Sequence, residues 1–97
     1  MRRARPSPWM KSSTTSDFRA SFDALPADIK AHARRAFVLW KGNPRHPSLC
    51  FKKTGGVWVV RVGRGFRALA LLQDETFYWF WIGSHDDYER MLKNLLQ

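Results

Sequence analysis

Cysteine is almost absent from this chain: Cys50 stands alone among 97 residues. A single thiol excludes an intrachain disulfide and any metal site built on a cysteine pair. Histidine is scarce too, and His32, His46 and His85 lack the helical or loop spacing that a shared metal requires, so neither a metal nor another cofactor is expected. Long apolar runs are missing, none approaching the roughly 18 residues of a membrane span. The basic start Met1-Arg2-Arg3-Ala4-Arg5-Pro6 is not followed by the apolar stretch of a signal peptide. A cytoplasmic protein with no membrane partner is therefore expected. Acidic residues are also few: 8 Asp and Glu stand against 17 Lys and Arg, a net charge of +9. An excess of this size on a small chain favours polyanions, whether nucleic acid, ribosome, an acidic protein or an anionic membrane surface, although a merely basic soluble surface has the same composition.

What the chain has in quantity is aromatic and apolar weight. Five Trp, seven Phe and a hydrophobic fraction of 44% mark a folded protein with one modest core. Residues 1–13 mix Arg, Pro and Ser without periodicity and read as a flexible basic arm, with Trp9 and Met10 able to begin a short edge strand. Residues 14–97 read as a single domain. Thr14, Thr15 or Ser16 can cap a first helix in which Phe18, Phe22 and Leu25 fall at i, i+4 and i+7. Pro26 ends that helix and fits the first turn of a second, whose stripe is Ile29, Ala33, Ala36, Phe37 and Trp40 and which Gly42-Asn43-Pro44 stops.

From there the period changes to two. Strands are expected over 49–53, 57–62, 66–72 and 76–82, joined by Gly55-Gly56, Gly63-Arg64-Gly65 and Gln73-Asp74-Glu75. Ser84-His85-Asp86-Asp87 resembles a capping box with Asp in place of Glu, so a last helix should pack Tyr88, Met91, Leu92 and Leu95. The fold class is α+β: a helical hairpin on a twisted, mainly antiparallel four-stranded sheet with a short C-terminal helix.

Several residues in this frame carry chemistry. If Gly63-Arg64-Gly65 is the whole loop, Arg61 faces Arg67 across the hairpin. Two like charges so placed are tolerable where the face meets water or an anion, and spacing alone supports both readings equally. Lys52 and Lys53 follow an apolar strand, and alternation puts at most one of them on the Arg61/Arg67 face; strand-end lysines also serve as edge protection. Arg45 lies in the Asn43-Pro44 loop and Arg64 at a turn tip. His85 begins the last helix and can act as acid or base near neutrality, or sit solvated at the helix start. Tyr88, one turn on, is a second proton-transfer candidate or a core ring. Asp86, Asp87 and Glu89 are charges that a helix N-terminus favours. The run Phe77-Tyr78-Trp79-Phe80-Trp81 could stack on bases, but it fills both faces of its strand, so most of it is expected in the core.

Phe22-Asp23-Ala24-Leu25-Pro26, Asn43-Pro44-Arg45-His46-Pro47-Ser48-Leu49, Phe51-Lys52-Lys53, Trp58-Val59-Val60-Arg61-Val62-Gly63, Phe66-Arg67-Ala68-Leu69 and Trp79-Phe80-Trp81-Ile82-Gly83-Ser84-His85 together resemble the RelE/ParE superfamily of type II toxins, from about Thr14 to Leu96. The resemblance implies a helical hairpin on a twisted antiparallel sheet. It also implies a toxin neutralised by a cognate antitoxin, either a ribosome-dependent endoribonuclease (an mRNA interferase) or, in the ParE branch, a DNA gyrase poison without chemistry of its own. In the first case it implies catalytic roles for Arg67 and His85, with Arg61 and Tyr88 beside them. Lys52, Lys53, Arg64 and Arg45 would then contact RNA. The His and Tyr are adjacent in the YoeB-like branch, whereas here Asp86 and Asp87 intervene.

Overall fold

The computed structural model describes residues 11–95, the side chain of Leu95 excepted. Its elements are β1 (Lys11–Thr14), α1 (Ser16–Asp23), α2 (Ala27–Gly42), a short 3-10 turn (Pro47–Leu49), β2 (Lys52–Thr54), β3 (Val57–Val62), β4 (Phe66–Gln73), β5 (Thr76–Ser84) and α3 (His85–Leu95). The sheet has five strands in the order β1-β5-β4-β3-β2. The expected four-stranded sheet thus gains a strand, because β1 lies parallel to β5, with Lys11 opposite Thr76 and Thr14 opposite Trp79. Lys11-Ser12-Ser13-Thr14 has no apolar alternation since it is an edge strand with little to bury, and its polarity made it look like arm. The arm expected over 1–13 is corrected accordingly at its end, while residues 1–10, including Trp9 and Met10, lie outside the described residues.

Helix α1 starts where Thr15 ties it to the sheet. The Thr15 hydroxyl accepts from the Phe18 amide at 3.1 Å and lies 3.3 Å from the Trp79 carbonyl, to which it donates, while the Thr15 amide donates to the same carbonyl at 3.0 Å. Nearly two turns later the Ser21 hydroxyl receives the Ile82 amide at 3.4 Å, so α1 continues the pairing that β1 begins along β5. Pro26 caps α2 with extended backbone and no side-chain bond, and Asn43 closes it.

The strand expected over 49–53 begins later than its composition suggested. Pro47–Leu49 forms a 3-10 turn in which the Ser48 amide donates to His46 Nδ1 at 3.2 Å, and Cys50 follows in the left-handed region at φ 46°. That local side-chain bond competes with ladder formation and holds the chain out of the sheet until Lys52.

The sheet separates two cores. On one face α1 and α2 bring Phe18, Phe22, Ala33 and Trp40 against Val60, Val62, Ala68, Phe77, Trp79 and Ile82. Trp40, only 1% exposed, is its centre, packed edge-on against Phe51, Phe77 and Trp79 at centroid distances of 5.7, 5.3 and 5.3 Å. On the other face α3 lays Tyr88, Met91 and Leu92 over Val57, Val59, Leu69, Phe80 and Trp81. A register shift between Leu69 and Ala70 sends Trp79 to the first core and Trp81 to the second. Phe77, Trp79, Phe80 and Trp81 of β5 are therefore scaffold, while Tyr78 is exposed.

Gly83 makes the second face possible. A Cβ there would lie 2.5 and 2.7 Å from Trp81 Cζ2 and Cη2, so the indole lies flat over a position with no side chain. Gly83→Ala should push the indole off its seat and destabilise the protein by about 1–3 kcal/mol, as overpacking does. Urea unfolding, together with movement of the Trp81 indole N–H resonance, checks this.

Candidate functional site

The turn Gly63-Arg64-Gly65 fixes the register around which the site is built. Val62 pairs with Phe66 and Arg61 with Arg67, the three-residue-loop arrangement, with Gly63 at φ 61° supplying the left-handed step. Phe66 and Ala68 pack under the helical hairpin and Leu69 under α3, so alternation puts Arg61 and Arg67 on the α3 side of the sheet. The next pairing places Arg67 opposite Gly83 and Phe66 opposite Ser84. The flat Trp81 indole thus extends into the row that holds Arg67.

At the end of that row α3 begins. The Ser84 hydroxyl accepts from the Asp87 amide at 3.1 Å, as an N-cap does, and the His85 amide donates to the Gly65 carbonyl at 2.7 Å. The cap and the β3–β4 turn together fix where His85 stands. Its side chain is 45% exposed, with Nε2 3.4 Å from Glu89 Oε2. Asp87 pairs with Arg90. Glu89 is the neighbour of His85 that attention to helix-start charges passed over; the i, i+4 spacing was its signal.

Each of the two paired arginines is tied to nearby backbone. Arg67 Nη1 donates to the Phe66 carbonyl at 2.8 Å and stays on its own strand. Arg61 Nε donates to the Gly63 carbonyl at 3.2 Å, and its side chain lines a cleft shared with α2. It reaches that side round the free edge of β3, since β2 pairs only with Val57–Val59.

Lys52 pairs with Val59 and so shares the Arg67 face; Lys53 pairs with Trp58 and takes the opposite one. Arg64 and Arg45 are exposed in their turn and loop. Tyr88 is 7% exposed, packed in the second core with its ring centroid 5.9 Å from that of His85. The structure thus brings Arg67, His85 and Lys52 to one side of the sheet, turns Arg61 away, and puts Tyr88 beneath.

Three comparisons bear on this geometry. No protein-family model matches the chain, and no curated sequence does. Solved structures do match. The toxin–antitoxin complex RelBE2 of Mycobacterium tuberculosis aligns over 77% of this chain and 96% of its own at 22% identity, with a TM-score of 0.56. YafQ of E. coli aligns over 81% and 97% at 11% identity, with a TM-score of 0.62. The isolated E. coli RelE toxin aligns over 90% and 99% at 13% identity, with a TM-score of 0.59. The chain has the RelE-type toxin fold. In this RelE-type fold the departures noted above, an edge strand of four residues and a 3-10 turn before β2, leave the central hairpin and the start of α3 intact.

Removing the cap tests how His85 is held. Ser84→Ala should cost about 1 kcal/mol and loosen the first turn of α3, seen as faster amide exchange at Asp87. Unchanged exchange there would show that the Gly65 bond alone suffices.

Proposed function

We propose that the protein is the toxin of a type II toxin–antitoxin pair and an endoribonuclease that cleaves mRNA on the ribosome in the cytoplasm. The observation that carries this reading is the register that sets Arg67 opposite Gly83, two residues before His85, on the open end of a basic sheet face. Phosphodiester transesterification asks a protein for a cation and a proton-transfer group at one phosphate, and Arg67 and His85 are the groups assigned to it here. The antitoxin complexes among the structural relatives support a protein partner of the same kind here.

The reaction runs by attack of a ribose 2′-oxygen on the adjacent phosphorus. The 2′ proton leaves, the P–O5′ bond breaks, and the 5′ oxygen gains a proton, giving a 2′,3′-cyclic phosphate and a 5′-hydroxyl. Arg67 stabilises the charge that builds on the non-bridging oxygens. His85 performs one proton transfer, with Glu89 orienting its ring, and water carries the other. Lys52 draws the strand onto the face, and Arg64 and Arg45 add phosphate contacts at the rim. Lys53, facing the hairpin side, is released from that set. Burial of Tyr88 among apolar side chains moves it from proton transfer to support of His85.

Ribosome-bound mRNA treated with the protein should give 2′,3′-cyclic phosphate ends with EDTA present. Arg67→Ala and His85→Ala should each lower the cleavage rate by about 10²–10³-fold, and Tyr88→Phe should leave it near wild type. Full cleavage by both alanine variants overturns the site. Absence of cleavage, with gyrase-linked DNA breaks on expression, replaces the reading by gyrase poisoning.

A further inference from the structure

A second basic feature lies on the opposite side of the β3–β4 turn from His85. Between α2, the Pro47–Leu49 turn and the end of β3 is a cleft of about 360 Å³, whose lining includes His32, Arg35, Leu39, Ser48, Leu49 and Arg61. Its cationic wall is built by a chain of contacts. Arg61 Nε donates to the Gly63 carbonyl at 3.2 Å. The His32 ring lies against Gly63, where a Cβ would sit 3.6 Å from His32 Cγ. His32 Nδ1 is in turn 2.9 Å from Arg35 Nη2. A guanidinium can only donate, so Nδ1 is the acceptor and Nε2 carries the ring hydrogen.

Neither arginine is matched by an acid. Among the described residues no ion pair involves Arg35 or Arg61, and no carboxylate lines the cleft. Two guanidiniums held by backbone and imidazole, with donor capacity left over and no anion, form a binding arrangement for phosphate. The size points further. A phosphate group, a few times the roughly 30 Å³ share of a water molecule, leaves most of this volume empty. Beside the guanidiniums the lining includes the half-buried Ala36 and Leu39 over the buried Leu49, an apolar patch suited to a sugar or base.

We propose that this cleft binds one nucleotide unit, Arg35 and Arg61 clamping its phosphate and the Ala36–Leu39 patch taking its sugar or base. This rests on the reading of the protein as an RNA-binding nuclease, and it gives the strand a second anchor across the turn from the reacting phosphate. Arg61 is thereby assigned to anchoring rather than to the reaction.

Adenosine 5′-monophosphate, adenosine and inorganic phosphate are titrated separately into the full-length ¹⁵N-labelled protein at fixed ionic strength. The monophosphate should shift the amides of residues 32–36, 48–49 and 61–63, with inorganic phosphate weaker and adenosine inert. Arg35→Ala and Arg61→Ala should each weaken the monophosphate on the order of tenfold, and Arg35→Lys should recover part of the loss. Both side chains lie at the surface, and the dispersion of each variant's spectrum reports its folding. Shifts confined to residues 83–86, adenosine binding as well as its monophosphate, or unchanged affinity in Arg35→Ala would each overturn the proposal. Wild-type protein that binds the monophosphate here yet cleaves no ribosomal mRNA would retain this site and refute the nuclease.

Discussion

Everything positioned in this protein refers back to the turn Gly63-Arg64-Gly65. Its length sets the β3–β4 register, and that register decides which side chains share a face. Its carbonyls and backbone also reach outward. Gly65 receives the first amide of α3, Gly63 receives Arg61 Nε, and the Gly63 backbone is the surface against which His32 of α2 rests. A loop one residue shorter would send Arg61 and Arg67 to opposite faces and leave α3 without its anchor.

The sheet works as a partition between two cores of different make-up. The hairpin side is filled by interlocking indole and phenyl rings around Trp40, which fix the sheet as a rigid plate. The α3 side is lighter, held by aliphatic chains, Tyr88, Phe80 and one indole lying over a glycine. Rigidity on one side lets the other present charge at its open end. The price of that arrangement shows in the first core, where the indole nitrogens of Trp40 and Trp79 are buried without a hydrogen-bond partner.

Much of this was legible in the residues. The period-two runs gave β3 to β5, Ser84 and the trio Thr14, Thr15 and Ser16 marked helix starts, and the spacing 61–67 paired the arginines on condition of a three-residue loop. Three things were not legible, each for a physical reason. Lys11–Thr14 is an edge strand whose partner lies far along the chain, so no local pattern marks it. Leu49 and Cys50 look like strand but obey the His46–Ser48 bond beside them. Where Arg61 points depends on β2 being too short to cover the end of β3, a property of another strand altogether.

The join between β1–α1 and β5 has a consequence for how the molecule is made. Strands β3, β4 and β5 are neighbours joined by short turns, whereas Thr15 meets Trp79 across 64 positions. Loop closure costs more entropy the longer the intervening chain, so contacts of this span slow folding relative to hairpins. Until the join closes, an aromatic strand offers an unpaired edge on which another copy can assemble. Thr15, bonding both its own helix and the carbonyl of Trp79 through one hydroxyl, is thus a latch whose closing ends the interval in which the nascent chain is open to aggregation.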